Sequence, residues 1–304
     1  MTSPSAHTPA QLSGALAATL CYLLWGLVPL YWRELASVNS VELVAHRHVW
    51  SLAFLLGIVA VQQGFGAVRT ALSTPRSIAI NLLGACLLTT NWLVYVWGVN
   101  SGQVIETSLG YFLVPLVNVA TGRFVLLEHL RRIQVLAIGL AAAGIALMIV
   151  QLGRTPWIAL TLAGSWGGYS LLRKKSPLSA VTGLTVETLL LAPVAAALLW
   201  WRHHTGEGAL GSADARTQVL VLSAGVITAI PLLLFAYGAR RIRLSTLGLL
   251  QYLAPSVQLI LGIWVFHEAF SRARMISFSF IWAALALYIA DNVIAQQRWG
   301  RAAA

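Results

Sequence analysis

PLVNVATGRFVLLEHLRR, residues 115–132, and PSVQLILGIWVFHEAFSR, residues 255–272, are the two stretches that decide how this chain folds. Pro115, Gly122, Glu128 and Arg132 of the first recur as Pro255, Gly262, Glu268 and Arg272 of the second, each pair 140 positions apart. Upstream, Trp97-Gly98 matches Tyr237-Gly238 at the same offset, and Trp25-Gly26 matches Trp166-Gly167 at 141. A fixed period of this length means that one unit has been used twice.

The unit is apolar. Of 304 residues, 58% are hydrophobic and 10% charged, and the mean hydropathy is +0.78, too apolar for a water-soluble domain of this size. A helix needs about 20 apolar residues to cross a bilayer. Ten apolar windows can be read, at 12–32, 41–61, 78–99, 104–127, 133–152, 157–172, 181–201, 219–237, 244–266 and 275–294. They are too long for strands and lack the alternation of a membrane barrel, so the backbone must be satisfied within helices. The predicted fold is an all-α integral membrane bundle of ten helices, with one five-helix repeat at 12–152, a second at 157–294, and cytoplasmic tails at 1–11 and 295–304. Because five is odd, the second copy enters the membrane from the opposite face, and the repeats are inverted.

Charge supplies the orientation. The net charge of +11 would suggest nucleic acid in a soluble protein, but here the basic residues lie between apolar runs. One set of alternate connections, with the C-terminal tail, carries 13 of the 20 Arg and Lys, including Arg173-Lys174-Lys175 and Arg240-Arg241; the other carries 6, and Arg47 falls inside a window. The positive-inside rule then puts both termini in the cytoplasm of a multi-pass plasma (inner) membrane protein. No Lys or Arg precedes the first window, which is of full spanning length, so no cleaved leader is expected. Cys21 and Cys86 lie within windows and read as small packing residues. No cofactor or metal pattern is present.

An inverted repeat can pack its halves in two nearly equivalent ways, which is the physical basis of alternating access. Pro115 and Pro255 fall mid-window, where proline frees a carbonyl and kinks or interrupts the helix. The polar and aromatic side chains around them give the candidate substrate-binding set: Trp25, Asn91, Trp92, Tyr111, Asn118, Gln251, Tyr252 and Gln258. Amides, phenols and indoles together suit a small amphiphilic ligand; the bland alternative is helix-to-helix hydrogen bonding. A charge at mid-membrane costs about 2.5–3.5 kcal/mol on insertion scales. Arg47, flanked by His46 and His48, and Glu187, its counterpart 140 positions on, are therefore the candidate gating or coupling groups together with His46, and Glu187 is a candidate proton carrier; a permanent ion pair is the competing explanation. Glu106 reads as a helix cap, Glu128 and Glu268 as turn residues, and Trp32, Trp157, Trp200 and Trp201 as interface anchors.

These strings resemble a known group. His46-Arg47 with Trp50-Ser51, Asn91-Trp92, Ser108-Leu109-Gly110-Tyr111-Phe112, Pro115-Leu116-Val117-Asn118, Arg173-Lys174-Lys175, Glu187-Thr188 and Arg243-Leu244-Ser245-Thr246-Leu247-Gly248 look like the paired EamA repeats of the drug/metabolite transporter superfamily, in its RarD branch. His48 and His267 have no obvious place in that pattern. The resemblance implies a ten-helix permease that moves a small amphiphilic metabolite or drug-like compound, with export as the expected direction and proton coupling or exchange as the expected drive. Its expected partners are the lipid bilayer and a small-molecule substrate, with protons in the first case and no nucleic acid. Oligomeric state stays open. A sensor or scaffold retaining the fold, or an intramembrane enzyme, are the alternatives; neither His-Glu-x-x-His nor Gly-x-Ser-x-Gly occurs, so enzymatic activity is not expected.

Overall fold

A computed structural model describes residues 9–62, 64–101, 103–152, 155–265 and 272–302. Among these there is no strand; the chain forms α1 (Pro9–Glu34), α2 (Ser40–Val61), α3 (Phe65–Leu72), α4 (Pro75–Asn100), α5 (Val104–Phe124), α6 (Arg132–Leu152), α7 (Trp157–Lys175), α8 (Ala180–His204), the single turn α9 (Ala209–Ser212), α10 (Ala215–Arg241), α11 (Leu244–Leu250), α12 (Leu253–Trp264) and α13 (Arg272–Ala302). The expectations placed on Glu268 and His267 fall outside the described residues.

Among the described residues each of the ten windows coincides with helix, but the ninth holds two helices. Pro255 has no N–H to give to the carbonyl one turn back, and the chain tightens before it: Gln251, Tyr252 and Ala254 N–H groups donate to carbonyls three residues behind, at 3.2 Å in each case, and α11 ends as α12 begins. Pro115, the counterpart, lies inside an unbroken α5. α3 and α9 sit in connections, and α13 runs past the tenth window at both ends. Helix starts are written locally. Asn39 Oδ1 accepts from Val41 and Glu42 N–H at 3.0 and 3.3 Å, and Ser179 Oγ from Thr182 N–H at 3.0 Å. Asp214 caps α10, and the bonds it accepts from Thr217 hold its carboxyl below the usual carboxylate range.

The packing obeys the two-fold relation. With counterparts α1/α7, α2/α8, α4/α10, α5/α11–α12 and α6/α13, the contact α1·α10 mirrors α7·α4, α1·α12 mirrors α7·α5, and α2·α10 mirrors α8·α4. The contacts α2·α8, α5·α11 and α6·α13 pair each element with its own counterpart and so straddle the axis. Almost every major interface therefore joins one repeat to the other, and neither repeat buries its helices alone.

Small residues make the crossings close. A Cβ on Gly26 would meet Val257 at 2.5 Å, and one on Gly248 would meet the Pro115 carbonyl oxygen at 2.8 Å. The outside shows the expected inversion of a soluble fold. α1 buries Gly14, Ala18, Cys21, Tyr22 and Gly26, and exposes Leu12, Leu16, Leu20, Leu23, Leu27 and Leu30. Cys21 is a packing residue, whereas Cys86 is exposed, because it falls on the outward face of α4. Trp157, Trp200 and Trp201 are exposed, but Trp32 is not an outward anchor; it turns inward.

Candidate functional site

The inward turn of Trp32 places it on the wall of a cavity of about 120 Å³ between the repeats. α1 supplies Tyr22, Trp25, Val28, Pro29 and Trp32; α4 supplies Trp92 and Tyr95; Tyr111 comes from α5 and Trp166 from α7. The break between α11 and α12 contributes Gln251, the start of α12 contributes Ala254, Pro255 and Gln258, and α2 contributes Arg47. Trp25 and Trp166, which correspond across the repeats, meet edge to face with centroids 5.0 Å apart at 78°, and Tyr95 meets Tyr111 at 5.3 Å and 66°. These residues occupy the span from mid-bundle to the end holding the connections at 35–39 and 101–103.

Arg47 is the sole charged residue on that wall among the described residues. Its Nε donates to Thr228 Oγ1 at 2.9 Å, and its guanidinium carbon lies 3.4 Å from the centroid of Trp92 and 4.7 Å from that of Trp32. Among the described residues no carboxylate lies within 4.0 Å of it.

Glu187 is held differently. It forms a buried ion pair with Arg173, Oε1 to Nη1 at 3.0 Å, and Oε2 accepts from the Tyr169 hydroxyl at 3.1 Å. Glycines make the room. A Cβ on Gly84 would come within 2.6 Å of Glu187 Oε1, and one on Gly183 would overlap the Arg173 guanidinium. Arg47 and Glu187 share only a second, water-sized cavity of about 10 Å³, with Trp92, Thr188 and Thr228 also on its wall.

The other predicted residues stand behind the wall. Asn91 is buried, donates to Leu162 O at 2.8 Å and Ser165 Oγ at 3.1 Å, and accepts from the Tyr111 hydroxyl at 3.4 Å. Asn118 donates to Gln251 Oε1 at 3.3 Å. Each amide thus braces a wall residue. Tyr252 is buried against Phe112, its own counterpart, and donates to that residue's carbonyl at 3.4 Å. His46 faces away from the cavity: its Nδ1 accepts from Trp50 Nε1 at 3.2 Å and its Nε2 lies 3.4 Å from Glu42, which also binds Arg202 at 3.1 Å and the Ala209 N–H at 2.6 Å.

At the basic end the bundle is tied. Glu128 accepts from Leu244 N–H at 2.7 Å, Ser245 N–H at 3.1 Å and Ser245 Oγ at 2.6 Å, so this turn residue also caps α11 in the other repeat. Lys174 donates to the Ile242 carbonyl. Glu106 accepts from Ile158 N–H at 2.7 Å at the start of α7, so its capping bond goes to a neighbouring helix as well. Tyr22, Tyr95 and Trp166 went unselected from sequence; for Trp166 the signal was present, since it is the repeat counterpart of Trp25.

Comparison with known proteins agrees with this architecture. The EamA-like transporter family matches twice, at residues 12–150 and 155–290. The protein RarD of Escherichia coli K12 is 37% identical over 285 residues, 94% of this chain and 96% of its own. An uncharacterized transporter, YojE, of Bacillus subtilis is 39% identical over 293 residues, 95% of this chain and 96% of its own. A solved crystal structure superimposes with a TM-score of 0.69 at 21% identity, covering 90% of this chain and 96% of that one, which speaks to the fold alone.

Proposed function

Because this chain belongs to the EamA-like transporter family, we propose that it is a secondary transporter that exports a small amphiphilic metabolite or drug-like compound by alternating access. The carrying observation is a cavity walled by both repeats and lying toward one end, with ties at the other. Rocking one repeat against the other would exchange the ends. In this reading Trp25, Trp92, Tyr111, Gln251 and Gln258 contact substrate, Asn91, Asn118 and Tyr252 hold the wall, and Pro255 ends the helix where the wall turns. The basic end faces the cytoplasm with both termini, the membrane is the bacterial inner membrane, and the repeats divide at 153–156.

Glu187 is the proposed coupling group: a carboxylate bound to Arg173 beside a water-sized cavity can release that partner when protonated. The test is purified protein in liposomes under an imposed pH gradient, with solutes chosen from metabolites that accumulate in cells lacking the protein. Saturable efflux that the Arg47→Ala variant loses, and that Glu187→Gln uncouples from the gradient, is expected. Parental rates in both variants would remove these residues from the mechanism, and saturable flux confined to metabolites that are depleted, not accumulated, in the deleted strain would reverse the direction.

A further inference from the structure

Within the proposed transport site, the groups that meet in the cavity are specific enough to name a substrate class, an inference that rests on the transporter reading. From the geometry at Arg47 we infer that the cavity takes a single-ring aromatic or comparably flat monocarboxylate, its carboxylate on the guanidinium edge and its apolar body against Trp25 and Trp166.

Four observations carry this. First, Arg47 spends only Nε on the protein; among the described residues neither Nη has a hydrogen-bond partner and no carboxylate lies within 4.0 Å. A cation held inside a membrane without a counter-ion is costly, and the cost is relieved when a ligand brings the anion.

Second, the guanidinium face is covered by Trp92 and Trp32, which leaves the edge carrying the Nη donors as the approach. That edge matches two carboxylate oxygens at once.

Third, the wall carries one positive charge and, among the described residues, no acid, Lys or His. A single cation balances a monoanion and leaves a phosphate dianion undercompensated. With no acid on the wall, an ammonium group has no ionic partner, which separates this substrate class from zwitterionic amino acids; Glu187 is occupied by Arg173 and Tyr169.

Fourth, Trp25, Trp166, Tyr22, Tyr95 and Tyr111 make the remainder aromatic. An apolar cavity of roughly 150 Å³ accepts benzene; at about 120 Å³ this cavity is of that order and limits the body to no more than one ring.

The experiment is equilibrium binding to the full-length protein in detergent, followed by tryptophan fluorescence. The probes share one skeleton: phenylacetate, phenylacetamide, phenethylammonium and benzylphosphonate. Phenylacetate should bind saturably, and at least about tenfold tighter than each of the others, the difference expected when charge-assisted bonds are lost. Arg47→Gln should bring acid and amide to equal affinity, while Arg47→Lys keeps part of the preference, since an ammonium retains charge without the fork. Trp25→Ala should weaken acid and amide alike and keep their ratio. Equal binding of acid and amide by the native protein, tighter binding of the phosphonate or the cation, no binding of any probe, or a preference that survives Arg47→Gln each overturns the inference; the native comparison holds even where a variant does not fold. The same probes in liposomes separate the two readings. Saturable flux of the amide or the cation without the acid leaves a transporter and removes the substrate class. Tight acid binding with no saturable flux of any solute leaves the site and removes transport.

Discussion

At corresponding positions of the two repeats stand Trp32 and Arg47 in the first, Arg173 and Glu187 in the second, by the offset of 141 that relates α1 to α7 and the offset of 140 that relates α2 to α8. The second pair closes on itself: Arg173 is 2% and Glu187 4% exposed, and they meet at 3.0 Å. The first pair carries a single charge. The ring centroid of Trp32 lies 4.7 Å from the Arg47 guanidinium carbon, and Arg47 turns to the cavity without a carboxylate partner among the described residues. The difference extends to their neighbours, for Gly183, which makes space for the Arg173 guanidinium, corresponds to Leu43. One scaffold thus carries two electrostatic designs. The second repeat satisfies its cation internally with a carboxylate; the first leaves its cation on the cavity wall.

The comparison breaks most visibly at Arg173. Removing one member of a buried pair strands the other, at about 3–5 kcal/mol, whereas replacing both with apolar groups is often neutral. Arg173→Ala should therefore lose stability on that scale in denaturant titration of the purified protein, and Arg173→Met with Glu187→Met should recover most of it. Recovery of stability with loss of flux would show that the pair serves closure; recovery of both would make it a packing device.

Next comes Gly183→Ala, which brings the second repeat toward the first. The added Cβ overlaps the guanidinium, and overpacking costs about 1–3 kcal/mol. Replacing glycine in a helix returns up to about 1 kcal/mol, so the net loss stays below that of Arg173→Ala. A Gly183→Ala protein as stable as the parent would mean that Arg173 can shift, and would weaken the idea of a tailored seat. Glu128→Gln follows, at roughly 0.5–2 kcal/mol, the range of a lost helix cap. With the two native cysteines replaced, a cysteine at position 244, where the native leucine is fully buried, should be labelled faster in that background. Unchanged labelling would remove Glu128 from the tie at the basic end.

How much of this is legible in the sequence depends on distance along the chain. The repeat, the helices and the inversion follow from composition, an offset and an odd number, none of which depends on how a helix is rotated. Pro255 marks its break, yet the same residue type at 115 leaves α5 whole, because the neighbouring backbone decides how a freed carbonyl is absorbed. Asn91 and Asn118 have the chemistry of ligand-binding groups and face the wall from behind, a matter of helix rotation that a spanning window does not encode. The partner of Glu187 was missed for the same reason. Arg173 sits in a basic cluster that reads as a cytoplasmic address, and only the Gly183 and Gly84 clefts let it and Glu187 meet. Trp32, placed at a window edge, has the signature of an interface anchor and nothing in its local sequence to set it apart.

The smallest expected effect on stability falls on the most consequential residue. Arg47→Leu removes one hydrogen bond to Thr228, about 1 kcal/mol, and contacts with two indoles at about 0.5–2 kcal/mol, but it also removes a cation whose place in the membrane costs about 2.5–3.5 kcal/mol. These contributions nearly cancel, so the variant should unfold within about 1 kcal/mol of the parent while losing saturable flux in liposomes. Arg173→Ala is expected to do the opposite in magnitude, with a large loss of stability that the double replacement reverses. If Arg47→Leu destabilises as strongly as Arg173→Ala, both arginines are structural and the contrast between the repeats is lost. If it folds like the parent and carries no solute, the cation at position 47 is kept for what it binds.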